Sequence, residues 1–208
     1  GLPGWTLGLS AGPSSYTRAS LVSTYNGEST GASLKALYTH DGGWRDDTGF
    51  DEGKLNAAAA SRWRDTPLRI DLAATTLDQD TAGFITGEGA YRSDQLSREN
   101  ANPEAYREAH AVRLTGLLNP PTTGAARLEL RPYLRTSRME FLQHFLIGKP
   151  LERNGQESAG LMSTLYMIVR EGKPVAEAKQ QLALSFGHIR QSDTGILELN
   201  ARYPMDGT

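Results

Sequence analysis

The sequence predicts an all-β chain: an antiparallel up-and-down meander of about ten strands, with the alternating short turns and long loops of a transmembrane β-barrel segment. Three observations point there. Several stretches alternate apolar and polar residues with period two, as strands with one apolar and one polar face do. The connections between them alternate long and short from residue 40 onward. No apolar run approaches the roughly 20 residues that a membrane-spanning helix needs.

The first segments are WTLGLSA (5–11), YTRASLVSTY (16–25) and ASLKALYTH (32–40), followed by a polar connection over 41–53. KLNAAAASRW (54–63) reads as a strand, although its alanines equally suit an amphipathic helix. RDTP (64–67) turns the chain into LRIDLAATTL (68–77), where Leu68, Ile70 and Leu72 oppose Arg69 and Asp71. A long polar stretch, 78–108, separates it from AHAVRLTGLLN (109–119). PPTTG (120–124) then leads to ARLELRPYLR (126–135), with Leu128, Leu130 and Leu134 against Arg127, Glu129, Arg131 and Arg135. A third long connection over about 137–159 precedes GLMSTLYMIV (160–169), and REGKP (170–174) is short again. QLALSFGH (181–188) sets Leu182, Leu184 and Phe186 against Gln181 and Ser185, and GILELNARY (195–203) closes the series. Trp5, Tyr16, Tyr25, Tyr38, Trp63 and Tyr203 lie near strand ends, where barrels carry their interfacial aromatics. PEAYREAHAVRL opens like a helix, with Asn102 as cap and Pro103 at the first position, and KPVAEAKQQLAL has helical composition. An α+β domain therefore stays open as an alternative.

At 208 residues the chain makes one large domain or two small ones. Apolar residues are 38%, with 22 glycines and a mean hydropathy of -0.47. The formal charge of -2 supplies no basic field for nucleic acid. Without cysteine there is neither a disulfide framework nor a thiolate metal site. GLPGWTLGLS shows no signal peptide, so either the protein is cytoplasmic or the chain is not the full precursor.

Motifs that carry chemistry are scarce. His40, His110, His144 and His188 have no partner at metal-ligand spacing. Asp78 and Asp80 form a D-x-D pattern with Gly83 and Glu88, but the fifth-position ligand and sixth-position glycine of an EF-hand loop are missing. GEGAYR is not a dinucleotide fingerprint, and neither a P-loop nor a G-x-S-x-G is present. Nothing here supports an enzyme: no catalytic residue, metal or cofactor is expected.

DGGWRDDTGFDEGKLNA (41–57), LDQDTAGFITGEGAYRS (77–93), ENANPEAYREAHAVRL (99–114) and LRPYLRTSRMEFLQHFLIGKPLERNGQESAG (130–160), in that order, resemble the barrel of TonB-dependent outer-membrane receptors. The likeness covers roughly residues 5–163; residues 164–208 depart from it while still reading as strands. It implies a partial β-barrel domain over 1–208, without a plug domain, in the bacterial outer membrane. The implied activity is uptake of ferric siderophores or similar nutrient chelates. The implied partners are the chelate, outer-membrane lipid, and the energy-coupling TonB complex acting through a plug domain that these residues lack. Gly42 to Glu52 would be an extracellular loop. By position, the ligand-binding candidates are Trp44, Arg45, Tyr91, Arg92, Arg131, Tyr133 and Arg135, since arginine forks pair with carboxylate or catecholate oxygens. Arg131 and Arg135 also suit plain lumen-facing charge networks. Family barrels have 22 strands, so the expectation is a truncated piece, curved and incompletely closed, not competent for transport alone. The alternatives are a soluble all-β or α+β binding module, or another outer-membrane barrel protein.

Overall fold

A computed structural model describes residues 3–122, 126–169, 178–193, 195–199 and 202–203, with side chains placed as far as Tyr166. The strands are β1 (Gly4–Ala11), β2 (Thr17–Asn26), β3 (Gly31–Asp41), β4 (Gly49–Trp63), β5 (Thr66–Asp80), β6 (Tyr106–Leu118), β7 (Ala126–Leu142), β8 (Leu151–Val169), β9 (Ala178–Asp193), β10 (Gly195–Leu199) and β11 (Arg202–Tyr203). They form one antiparallel sheet in chain order. β10 and β11 share one edge of β9, at Ile189–Asp193 and Ser185–Phe186, so the eleven segments make the expected meander of about ten positions. Among the described residues the sheet does not close: β1 pairs with β2 alone.

Register divides the sheet into two faces, because opposed residues point the same way and neighbours along a strand point opposite ways. Leu34, Ala57, Leu72, Leu114, Leu134 and Ala159 follow one another directly across β3 to β8. One step along, Leu7, Leu21, Ala36, Leu55, Ala74 and Val112 do the same from β1 to β6. The other face carries Lys35, Asn56, Ala73, Arg113, Arg135 and Ser158 in an equivalent row. Ala90 and Ala105 are the only buried apolar residues among those described, so no core lies on either side. On the apolar face Leu9 is 86% exposed and Leu134 55%, whereas Thr39 and Glu129 on the polar face are each 7% exposed. A sheet curved toward its polar side accounts for the difference, since side chains crowd in the concavity and splay on the outside.

Trp5, Tyr25 and Trp63 close the apolar band at the end with the tight turns, and Tyr38 closes it at the other. On β7 the band runs from Ala126 to Leu134. That is about 30 Å of strand, or ~23 Å of height at a tilt of ~40°.

The tight end has connections at 27–30, at Arg64–Asp65 and at 119–125; the other end has 12–16, 42–48, 81–105 and 143–150. The alternation is carried chiefly by 81–105. The three long loops read from the sequence as 41–53, 78–108 and about 137–159 are all shorter in the structure. Polar residues such as Asp51, Asp78, Glu108, Arg138 and Arg153 sit on strands that stay paired beyond the apolar band. Their polarity marked them as loop, while the backbone ladder continues through them. The same correction makes Gly49–Glu52 the start of β4 and leaves 42–48 as the connection.

KLNAAAASRW is strand, its alanines shared between the two faces, so sheet pairing overrides helix propensity. Asn102 and Pro103 lie in a turn before β6, and the described part of KPVAEAKQQLAL belongs to β9. REGKP lies outside the described residues. Among the described residues the helices are a 3-10 turn, Ala90–Arg92, and a short α1, Asp94–Arg98, both inside the 81–105 connection.

Candidate functional site

The connections at the long-loop end are laced together. The Gly42 N–H donates to Ser14 O at 2.7 Å, joining 12–16 to 42–48. Gly43, at φ 79, makes the next bend, and its N–H donates to Asp41 Oδ1 at 2.8 Å. Arg45 then reaches into 81–105: Nη1 donates to Gly83 O at 2.5 Å, Nε to Glu99 O at 3.1 Å, and Nη2 to that same Glu99 oxygen. The Asp46 N–H donates to Arg98 O at 2.8 Å, and Asn100 Nδ2 bridges Asp47 O at 3.1 Å and Thr81 O at 3.4 Å. On the far side Lys149 pairs with Glu104, tying 143–150 to the same connection. This bond, from Lys149 first, holds the Glu104 carboxyl below the usual carboxylate range. The 81–105 connection is therefore the keystone of this end.

Around it stand exposed aromatics with cations over their rings. The Arg98 guanidinium lies 5.8 Å from the Trp44 ring centre, and Arg92 lies 5.3 Å from that of Tyr91, with Arg92 Nε donating to the Tyr91 hydroxyl at 3.0 Å.

The polar face carries charge pairs two residues apart on one strand, the spacing that puts both side chains on one side. Lys54 meets Glu52 at 2.7 Å, and Arg69 meets Asp71 at 2.6 Å. The half-exposed Arg131 meets the buried Glu129 at 2.5 Å, with Arg127 at 3.7 Å on its other side. Arg113 and Arg135 differ: they face each other directly across β6 and β7, and neither has an ion-pair partner among the described residues.

Beyond the apolar band, the outward face turns polar. One row reads His40, Asp51, Asp78, Glu108, Glu140 and Arg153, each directly opposite the next. Asp51 accepts from Tyr38 and, at 3.0 Å, from His40 Nδ1, which together hold its carboxyl low. Glu140 is held low by Arg153 and then by the Tyr106 hydroxyl, 2.5 Å away. Asp78 and Asp80 are thus strand residues, not members of a ligand loop.

The seven candidate ligand residues fall into two groups. Trp44 and Arg45, in 42–48, and Tyr91 and Arg92, in 81–105, lie in connections at the long-loop end. Arg131, Tyr133 and Arg135 lie on the polar face seven or more residues below the top of β7, at least ~23 Å of strand away. Arg45 has its fork occupied by carbonyls, and Arg131 is engaged by Glu129. Sequence reading missed Arg113, Arg98 and Arg107. Arg113 alternates with Val112 and Leu114 in AHAVRL, and that alternation was the available signal. Arg98 owes its place to the fold of a long connection, which no local pattern reveals.

No family model matches the chain, and no curated protein matches it. Among solved structures it is similar to the ferric-catecholate import receptor Fiu from E. coli K12. Against the closed form the TM-score is 0.68 at 9% identity, covering 96% of this chain and 33% of that one. Against the open form it is 0.63 at 10% identity, covering 96% and 37%. The chain has the fold of a partial receptor barrel, as its loop motifs led us to expect, and spans about a third of the length of these receptors.

Proposed function

We propose that the chain is a stretch of wall from a bacterial outer-membrane receptor of the TonB-dependent kind, taking up a ferric catecholate or a kindred anionic chelate. One observation carries the reading: a single sheet without a core presents an apolar band ~23 Å tall on its outer face and arginines on its concave face. Water is a poor solvent for such a band, whereas bilayer hydrocarbon covers it, and the aromatics at its edges suit the interface. On the inner side Arg113 and Arg135 oppose each other and neither forms an ion pair among the described residues, which favours an anion between them. Trp44, Tyr91, Arg92, Arg98 and Tyr133 would offer aromatic faces and further charge to a bound chelate. Fiu is named as an importer of ferric catecholates, which suggests the ligand class. Import would also require a plug and the energy-coupling TonB complex. The role is binding and passage, without catalysis.

The test is to fold the chain in detergent micelles and titrate a ferric tris-catecholate complex. Wild type should bind it, and R113Q/R135Q should bind at least ten-fold more weakly. Equal binding by both proteins would remove the inner-face assignment. A chain that folds in water without detergent would overturn the wall reading.

A further inference from the structure

Three polar side-chain atoms near the keystone connection are buried and have no hydrogen-bond partner: Thr81 Oγ1, Arg107 Nε and His144 Nδ1. Register brings the first two together. Arg107 lies opposite Gln79, to which its Nη2 donates at 2.6 Å. The Thr81 N–H continues that ladder by donating to Ala105 O at 2.8 Å, so Thr81 and Arg107 are diagonal neighbours on the polar face. His144 approaches from the 143–150 connection. It packs edge-on against Phe145, 5.6 Å between ring centres, and Phe145 lies 6.1 Å from Phe141, the residue opposite Arg107. Its Cδ2 is 3.7 Å from where a Cβ on Gly83 would stand, so the 81–105 connection covers this corner.

Among the bonds that hold the cover, those of Arg45 are ones that an anion would improve upon. Arg45 carries a full charge yet meets only neutral carbonyls, those of Gly83 and Glu99, near the two ends of the connection. No carboxylate lies within ion-pair distance of it among the described residues. A carboxylate-like or phosphate-like anion adds the attraction of a full opposite charge and can meet the fork with two parallel bonds, neither of which a neutral carbonyl supplies. An arriving anion can therefore take Arg45 from the carbonyls and loosen the cover, while the corner beneath offers the Arg107 Nε–H and the Thr81 hydroxyl to its oxygens.

We propose that Thr81, Arg107 and His144 form a subsite for anionic oxygens, covered by the 81–105 connection and latched by Arg45. The inference rests on the receptor reading for its natural ligand, the catecholate oxygens of a ferric chelate, but not for the site itself. The experiment uses the whole chain in micelles, with ferric tris-catecholate and inorganic phosphate as separate probes. Backbone amide exchange over 81–105 and equilibrium dialysis are the readouts. R45Q, with R45K as a milder companion, should speed amide exchange in 81–105 at least ten-fold without any probe. R107Q and H144Q should weaken probe binding at least ten-fold. If phosphate binds through Arg107 and His144 and ferric tris-catecholate does not, the subsite stands and the siderophore reading falls. If the ferric complex binds equally to wild type, R107Q and H144Q, the subsite falls and the siderophore reading stands. If neither probe binds or alters exchange, the corner holds trapped water only and the proposal is overturned.

Discussion

Asp78 stands directly opposite Glu108 across β5 and β6, on the outward face beyond the apolar band. Asp51 lies opposite Asp78 and Glu140 opposite Glu108, so four carboxylates share one row. The outer two are met by Tyr38, His40, Tyr106 and Arg153, while the central two have no ion-pair partner among the described residues. Directly opposed like charges weaken a strand pair by about 0.2–1 kcal/mol. Glu108→Gln is therefore expected to stabilise the folded chain in micelles by that amount. The gain should shrink between 0.01 M and 1 M salt, as the screening length falls from roughly 30 Å to roughly 3 Å. Unfolding midpoints at the two salt levels decide it; a variant less stable at low salt would show that the row is not repulsive.

Ala57 and Ala58 are neighbours on β4 that point to opposite faces. Ala57 lies between Leu34 and Leu72, Ala58 between Ser33 and Asp71. Ala57→Arg should cost about 2–4 kcal/mol in a bilayer, the usual penalty for arginine on a lipid face near mid-depth. Ala58→Arg, placed opposite Asp71, should change stability by no more than about 0.5 kcal/mol. Folding yield into lipid vesicles, scored by heat-modifiable migration, compares the two. Equal yields would contradict the assignment of faces.

Glu129 is the acid on which Arg127 and Arg131 converge. Glu129→Gln keeps the shape and removes the charge. With both arginines about half or more exposed, the loss should be about 1–2 kcal/mol, below the figure for a fully buried pair. Urea titration in micelles measures it, and no change in midpoint would mean that water already screens the pair.

The Glu104–Lys149 pair makes the seating of the loops depend on acid. The folded carboxyl lies below its ordinary value, so its contribution is complete above the unfolded value of about 4.3 and is lost as pH falls through the lower folded value. Exchange of the 143–150 amides, taken as the ratio of wild type to Glu104→Gln at each pH to cancel the intrinsic rate, should start below one. It should rise to one under acid. A ratio that stays flat would remove the pair from the seating of this loop.

The period-two pattern was enough to read the meander, because in one sheet without a core the alternation is the whole folding instruction. Leu68, Ile70 and Leu72 against Arg69 and Asp71 specify both a strand and its faces. Strand ends were not legible for the same reason. Once past the apolar band both faces are polar, as at Asp78 and Glu108, and alternation vanishes while backbone pairing continues. Arg45 and Trp44 were candidates through their position under the family resemblance, but the partners of Arg45 are carbonyls 38 and 54 residues away, and backbone acceptors leave no mark in composition. Arg107 was hidden by its setting, in a stretch that looks like the start of a helix.

A sheet whose described residues enclose no core places few demands on sequence. In an ordinary domain, interlocking side chains restrict each other, and a substitution at one position constrains the next. Here each outward side chain answers to a fluid and each inward one to a wide concavity, so any residue of the right polarity serves. Many sequences then suit one such wall, so likeness in shape needs little likeness in sequence, as at 9% identity. Sequence is constrained most in the laced connections, where specific atoms must meet.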